Sequence, residues 1–132
     1  MGYRKPRPSR VPVVVKRGLS GLGLFAESEI PRSTFVIEYW GNVVSDDEAD
    51  EVGGKYLFRL ERERTILGNH PGNPARFMNH SCKPNCVAEM DGTRIFIYTR
   101  KKIYPGEELT YDYGREYWED HIKPYGCRCG AC

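Results

Sequence analysis

The chain lacks any long hydrophobic run. Its most apolar stretches, Val13–Val15 and Phe35–Ile37, fall far short of the roughly 20 residues a helix needs to cross a bilayer. A signal peptide is missing too: Met1-Gly2-Tyr3-Arg4-Lys5-Pro6 has no apolar region, and Pro6 spoils a myristoylation pattern. These absences predict a soluble intracellular protein with no membrane partner. Charge of one sign is also lacking. Twenty Lys plus Arg face 18 Asp plus Glu, and beyond a basic start (Arg4, Lys5, Arg7, Arg10) the balance is 16 to 18. A nucleic-acid-binding domain shows a continuous basic stripe, so no direct nucleic-acid binding is expected, and residues 1–10 read as a solvated basic arm. Repeats and low-complexity segments are absent, and helical periodicity is scarce. Without repeated strand–helix–strand units, a chain of 132 residues cannot be a doubly wound nucleotide-binding enzyme, and Gly21-Leu22-Gly23 is no dinucleotide fingerprint.

Short apolar runs rich in Val, Ile, Tyr and Phe are present, bounded by Gly, Pro, Asn or Asp. That pattern predicts strands near Val13–Lys16, Leu22–Ala26, Thr34–Trp40, Lys55–Leu60, Val87–Met90, Arg94–Arg100 and Glu108–Tyr111. Asp91-Gly92 signals a hairpin. Ser45-Asp46-Asp47-Glu48 fits a capping box and predicts a short helix over 46–52, and a second helical turn is expected near Arg115–Ile122. The sum is one mostly-β domain with few short helices. Residues 46–51 hold five acids in six positions. We read them as a solvated helix face, the sharper alternative being a rim that steers a basic peptide.

Five cysteines (Cys82, Cys86, Cys127, Cys129, Cys132) make an odd number, which argues against a disulfide framework. Cys127-Arg128-Cys129-Gly130-Ala131-Cys132 supplies three thiolates where tetrahedral zinc wants four, and Cys82 and Cys86 are the candidates for the fourth. Three further segments stand out: Ser20–Ala26, Arg76–Cys82 and Glu107–Gly114. Each alone has an ordinary structural explanation, such as a Gly-x-Gly bulge, core aromatics, or a hydrogen-bonded histidine at His80.

Taken together and in this order, the four segments resemble the SET-domain protein lysine methyltransferases with a post-SET zinc segment. Asn79-His80-Ser81-Cys82-Lys83-Pro84-Asn85 followed by Glu107–Gly114 carries the likeness. Phe35–Gly41, Tyr56-Leu57-Phe58 and Gly72–Phe77 support it, and Tyr113–Trp118 looks most like the branch of the histone H3 lysine-9 enzymes. The resemblance implies a fold of small curved β-sheets with a C-terminal pseudoknot, in which Asn79–Cys82 and Leu109–Tyr113 cross. It divides the chain into the arm 1–10, a SET domain over 11–115 and a zinc-stapled post-SET tail over 116–132.

By similarity, S-adenosylmethionine would be held by Gly21, Leu22, Gly23, Tyr56, Arg76, Phe77, Asn79, His80, Tyr113 and Trp118. Tyr39, Phe58 and Tyr111 would wall the substrate-lysine channel, and Tyr113, with Tyr39 and Tyr111, would serve catalysis. Tyr111 stands where the family has Phe or Tyr. Its hydroxyl takes space and can hold a water, so mainly monomethylation, extending to dimethylation, is expected. Zinc would be bound by Cys82, Cys127, Cys129 and Cys132, although the family usually spaces its second and third tail cysteines more widely than the two residues seen here. The expected partner is a basic protein tail such as a histone's, in the nucleus on chromatin if the source is eukaryotic and otherwise in the cytoplasm or a host cell. The stretch from Gly53 to Gly72 is short for the family, so the groove could be completed by homodimerisation. The competing readings are a catalytically idle module that binds a basic partner and an enzyme with a non-histone substrate.

Overall fold

The computed structural model describes residues 6–18, 21–53, 56–60 and 62–112. Among the described residues, ten strands are arranged in three small sheets. In the first, β1 (Val13–Gly18) pairs antiparallel with β2 (Gly21–Ala26). The second joins β3 (Phe35–Tyr39), β9 (Arg94–Thr99) and the edge strand β8 (Cys86–Asp91). In the third, β4 (Asn42–Ser45) and β5 (Leu57–Arg59) flank β6 (Arg64–Leu67). Two residues of β7 (Asn79–His80) and the last described strand, β10 (Glu108–Tyr111), complete the first sheet in the order β1-β2-β10-β7.

Local chemistry accounts for much of this. β9 alternates half-buried and buried residues along Arg94–Thr99, the two-residue period of a strand with one face on the core. Its Ile95 and Ile97 join Leu24, Ile30, Val36, Ile66, Met78, Ile103 and Leu109 in that core, all essentially inaccessible to water. Each such side chain contributes about 2–3 kcal/mol by burial. The β8–β9 hairpin turns at Gly92, whose φ of 64° suits glycine. The helix α1 (Asp46–Val52) starts as the capping box predicts, with the Ser45 hydroxyl accepting from the Glu48 backbone N–H at 3.2 Å.

Three strands were not predicted. β4 follows β3 after a two-residue break, and β6 lies in a charged stretch. Its hairpin with β5 turns through Arg62 and Glu63, both at positive φ (58° and 57°) with no glycine to announce the turn. β7 is a polar dipeptide. The predicted second helical turn lies outside the described residues.

The described part of the basic arm is exposed from Arg7 to Arg10 yet anchored at Arg7: its N–H donates to Glu38 Oε1 at 2.7 Å, and its guanidinium lies 4.0 Å from the Phe35 ring centroid. Glu38 is buried in β3 and holds Arg94 through two hydrogen bonds, Nε to Oε2 at 3.0 Å and Nη2 to Oε1 at 2.6 Å. A carboxylate taken out of water needs such partners. Two of the acids of α1 have structural roles as well. Asp46 accepts from the Thr65 hydroxyl at 2.7 Å, and Asp50 accepts from Arg59 Nη2 at 2.7 Å, leaving Asp47, Glu48 and Glu51 on the exposed face.

Candidate functional site

The site is organised along β10. Its parallel pairing with β7 sets Thr110 beside Asn79 and Tyr111 beside His80, and Ser81 N–H continues the pairing to Tyr111 O at 3.2 Å. Asn85 locks this crossing: its Nδ2 donates to Glu108 O at 2.8 Å, and its Oδ1 accepts from Thr110 N–H at 2.9 Å. Because strand side chains alternate, Glu108 and Tyr111 point to opposite faces of β10.

On Tyr111's face lies an aromatic cluster. The Phe58 ring stacks on Tyr111 (centroids 6.0 Å, planes 21°) and meets Tyr39 at 5.3 Å. Tyr39 and Tyr111 are both buried. Gly68 is what admits Tyr39: a Cβ there would collide with the Tyr39 hydroxyl. Asn73, fully buried, sets that wall by donating Nδ2 to Gly68 O at 2.9 Å while its Oδ1 accepts from Trp40 N–H at 3.3 Å. The three residues predicted to wall the lysine channel are therefore brought together.

On Glu108's face, Asn79 Nδ2 donates to Leu22 O at 3.0 Å and to Glu108 Oε2 at 2.7 Å, bridging β2 and β10. Gly23 makes room for both groups, since a Cβ there would clash with Glu108 Oε2 and come within 3.2 Å of Asn79 Nδ2. Gly21 and Leu22 begin the same strand, the Leu22 side chain being exposed. The predicted cofactor residues Gly23, Leu22 and Asn79 thus share one place.

Tyr56 and Phe77 form an edge-to-face pair at 5.9 Å, and the Arg76 guanidinium sits 4.2 Å from the Phe77 centroid. Arg76 Nη1 also donates to the carbonyls of His70, Pro71 and Asn73. That cation holds its own loop in shape around the 3-10 turn Pro74–Phe77 and does so through contacts no sequence pattern announces.

His80 is buried, with Nε2 3.4 Å from Cys82 Sγ and Nδ1 3.7 Å from Asp112 Oδ1. Burial pushes its pKa down against the pull of Asp112. The two candidates for the fourth zinc ligand separate clearly. Cys86 is a free thiol inside the core, and burial raises its pKa to about 12. Cys82 is exposed and disulfide-bonded. At pH 8 Cys86 is therefore expected to stay a thiol: iodoacetamide should leave it unmodified in the folded protein and label it in guanidinium, as read by peptide mass spectrometry. Labelling at equal rates in both states would contradict the burial.

Tyr113, Trp118, Cys127, Cys129 and Cys132 lie outside the described residues. Among the described residues there is no group of three or more His, Cys, Asp or Glu that could hold a metal ion, and no helix long and apolar enough to cross a membrane. Four residues that matter here carried no predicted role: Gly68, Asn73, Asn85 and Glu108. Three of them sit inside or beside the motif strings, and their spacing was the one available signal.

Comparison with known proteins agrees with this geometry. The family model for the SET domain matches residues 21–114, and the chain belongs to that family. The chain is 39% identical over 125 residues to histone-lysine N-methyltransferase trr of Drosophila melanogaster, covering 86% of this chain and 5% of that one. A histone-lysine N-methyltransferase of Schizosaccharomyces pombe described as H3 lysine-4 specific is 42% identical over 123 residues, covering 83% and 13%. ASHR3 of Arabidopsis thaliana, also a histone-lysine N-methyltransferase, is 34% identical over 143 residues, covering 98% and 28%. The chain thus spans under a third of each relative's length. None of these names carries the lysine-9 likeness read from Tyr113–Trp118.

Proposed function

We propose that the chain transfers a methyl group from S-adenosylmethionine to the side-chain amine of a lysine in a basic protein tail such as a histone's, in the nucleus on chromatin. The cluster of Tyr39, Phe58 and Tyr111 carries the reading. Three rings, two of them buried, make a low-dielectric wall that disfavours a charged ammonium and so favours the neutral amine that can attack. The remainder of the site fits the cofactor. Gly23 leaves room for the Glu108 carboxylate and the Asn79 amide, which present polar atoms beside β2. When bound, S-adenosylmethionine supplies an electrophilic methyl on a sulfonium. The chain's own residues align the amine and exclude water.

Mass spectrometry of core histones and an H3-tail peptide, incubated with the protein and S-adenosylmethionine, tests the reading. One added methyl is expected. Cofactor binding with no methyl added to any of these would favour an idle module or a non-histone target. Tyr111 governs how many methyls follow. Its ring is fixed against Phe58, so its hydroxyl occupies a defined place in the wall. Tyr111→Phe removes that hydroxyl and is expected to raise the dimethyl and trimethyl fraction about tenfold, with the first transfer little changed. An unchanged product distribution would refute this role.

Zinc belongs to the same reading, with Cys82, Cys127, Cys129 and Cys132 as thiolate ligands. A disulfide sulfur does not ligate zinc, so the disulfide-bonded Cys82 and the zinc-bound one are exclusive states. Metal analysis of protein purified under reducing conditions is expected to give one zinc per chain, lost in Cys82→Ser. Absence of zinc from the reduced protein, together with a disulfide-linked Cys82 peptide in protein purified without reductant, would assign Cys82 to the covalent state instead.

A further inference from the structure

Glu108 stands out among the polar groups of the site because no described cation pairs with it. It is half-buried, opposite Phe25 in the β10–β2 register, and its carboxylate accepts from Asn79 Nδ2. The charged group on the same face is Lys16, opposite Gly23, and its ammonium lies 4.7 Å from the Phe25 ring centroid without forming an ion pair with Glu108. A carboxylate held partly out of water in this way is costly unless a positive group meets it.

The donor and acceptor inventory narrows what that group is. Both Nδ2 protons of Asn79 are engaged, by Leu22 O and Glu108 Oε2. What remains there is Asn79 Oδ1 and the Glu108 carboxylate, which are acceptors only. A primary ammonium offers several N–H donors to such a set, whereas a sulfonium offers none. The opposed faces of β10 give the same answer: Tyr111 faces the aromatic wall where methyl transfer takes place, and Glu108 faces away from it. Gly23, where a Cβ would displace the carboxylate, keeps this acceptor pair in place.

Resting on the methyltransferase reading above, we propose that Glu108 is a cofactor-binding residue whose carboxylate, with Asn79 Oδ1, receives the α-ammonium of the methionine portion of S-adenosylmethionine. The Asn79–Glu108 hydrogen bond then orients the carboxylate for that ammonium.

Calorimetric titration of the whole chain with three ligands tests this. S-adenosylmethionine has both the ammonium and the sulfonium, S-adenosylhomocysteine has the ammonium with a neutral sulfur, and 5′-methylthioadenosine has neither. Glu108→Gln removes the charge at nearly constant size. It is expected to weaken the first two ligands alike, by about tenfold or more as for a lost charge-assisted hydrogen bond, and to leave methylthioadenosine within twofold. Weakening of S-adenosylmethionine alone would assign the carboxylate to the sulfonium. Equal weakening of all three would make Glu108 structural, and no weakening would remove it from the site; each of these overturns the proposal. Should Glu108→Gln melt near room temperature, Glu108→Asp keeps the charge and shortens its reach. The same selective pattern is then expected at smaller amplitude, and a uniform loss again overturns it. Wild-type protein that binds none of the three ligands would sink the methyltransferase reading itself, whereas normal wild-type binding with an indifferent Glu108→Gln sinks this assignment alone.

Discussion

Asn85→Ala is expected to cost about 3 kcal/mol of folding stability and to lower the melting temperature by about 10 °C. Asn85 is buried, and its amide is the partner of Glu108 O and Thr110 N–H, two backbone groups of β10. Alanine leaves both unpaired inside the protein, and an unsatisfied buried group costs roughly 1–3 kcal/mol. Its own carbonyl, accepting from Arg100 N–H at 2.9 Å, ties the same turn to the end of β9, so the loop itself is held elsewhere. The loss should therefore fall on β10. Because that strand carries Glu108 on one face and Tyr111 on the other, cofactor affinity is expected to fall together with stability. Thermal melts by circular dichroism, with and without S-adenosylmethionine, measure both. A melting temperature within 2 °C of wild type would mean that water replaces the amide and that the crossing does not depend on it.

The contrast between what could and could not be read in advance follows from how far each interaction reaches along the chain. The helix at 46–52 was legible to the residue because its determinants, Ser45 and Glu48, are three positions apart and bond to each other. β10 was legible because the strand-type residues Leu109, Thr110 and Tyr111 form a short run by themselves, and in the structure Glu108–Tyr111 alternates half-buried and buried residues. β7 was not, since Asn79-His80 becomes a strand only by pairing with Thr110 and Tyr111, some thirty residues onward. β6 was hidden by charge: Arg62 and Glu63 lead into it, and the hairpin they form needs left-handed backbone at residues that rarely adopt it. Glu38 read as one more position of an apolar strand. Its buried carboxylate is tolerated only because Arg94 arrives from β9 and the Arg7 N–H from the arm, neither of which is local.

The same division runs through the site. Tyr39, Phe58 and Tyr111 were legible as a set from their place in the motif strings, and the structure brings their rings together. Asn73 and Gly68, which decide how deeply Tyr39 sits, were not. A buried amide bridging Gly68 O and Trp40 N–H has no pattern in sequence beyond a lone Asn between a Gly and a Pro. Gly23 was expected to open the backbone to the cofactor. In the structure the space it leaves is taken up by Glu108 and Asn79, so the glycine acts through those side chains.

Tyr113→Phe is expected to reduce the methylation rate at least about 100-fold while leaving the affinity for S-adenosylmethionine within twofold. Its basis is chemical. The attacking lysine must present a neutral amine whose lone pair points along the methyl–sulfur axis, and one hydroxyl oxygen accepting an N–H of that amine fixes the direction. A positioned group of this kind contributes roughly 10²–10⁴ in rate. The two described hydroxyls of the wall are poorly placed to substitute for it. Tyr39's lies against Gly68, and Tyr111's ring is fixed on Phe58. The loss should appear in kcat rather than KM, because an interaction made with the reacting nitrogen is strongest as the bond forms. Tyr39→Phe supplies the contrast: with its hydroxyl packed against the Gly68 wall, it is expected to cost less than tenfold. If instead Tyr39→Phe abolished turnover and Tyr113→Phe retained more than half of it, the roles would be reversed and Gly68, through its contact with the Tyr39 hydroxyl, would become part of the positioning of the amine.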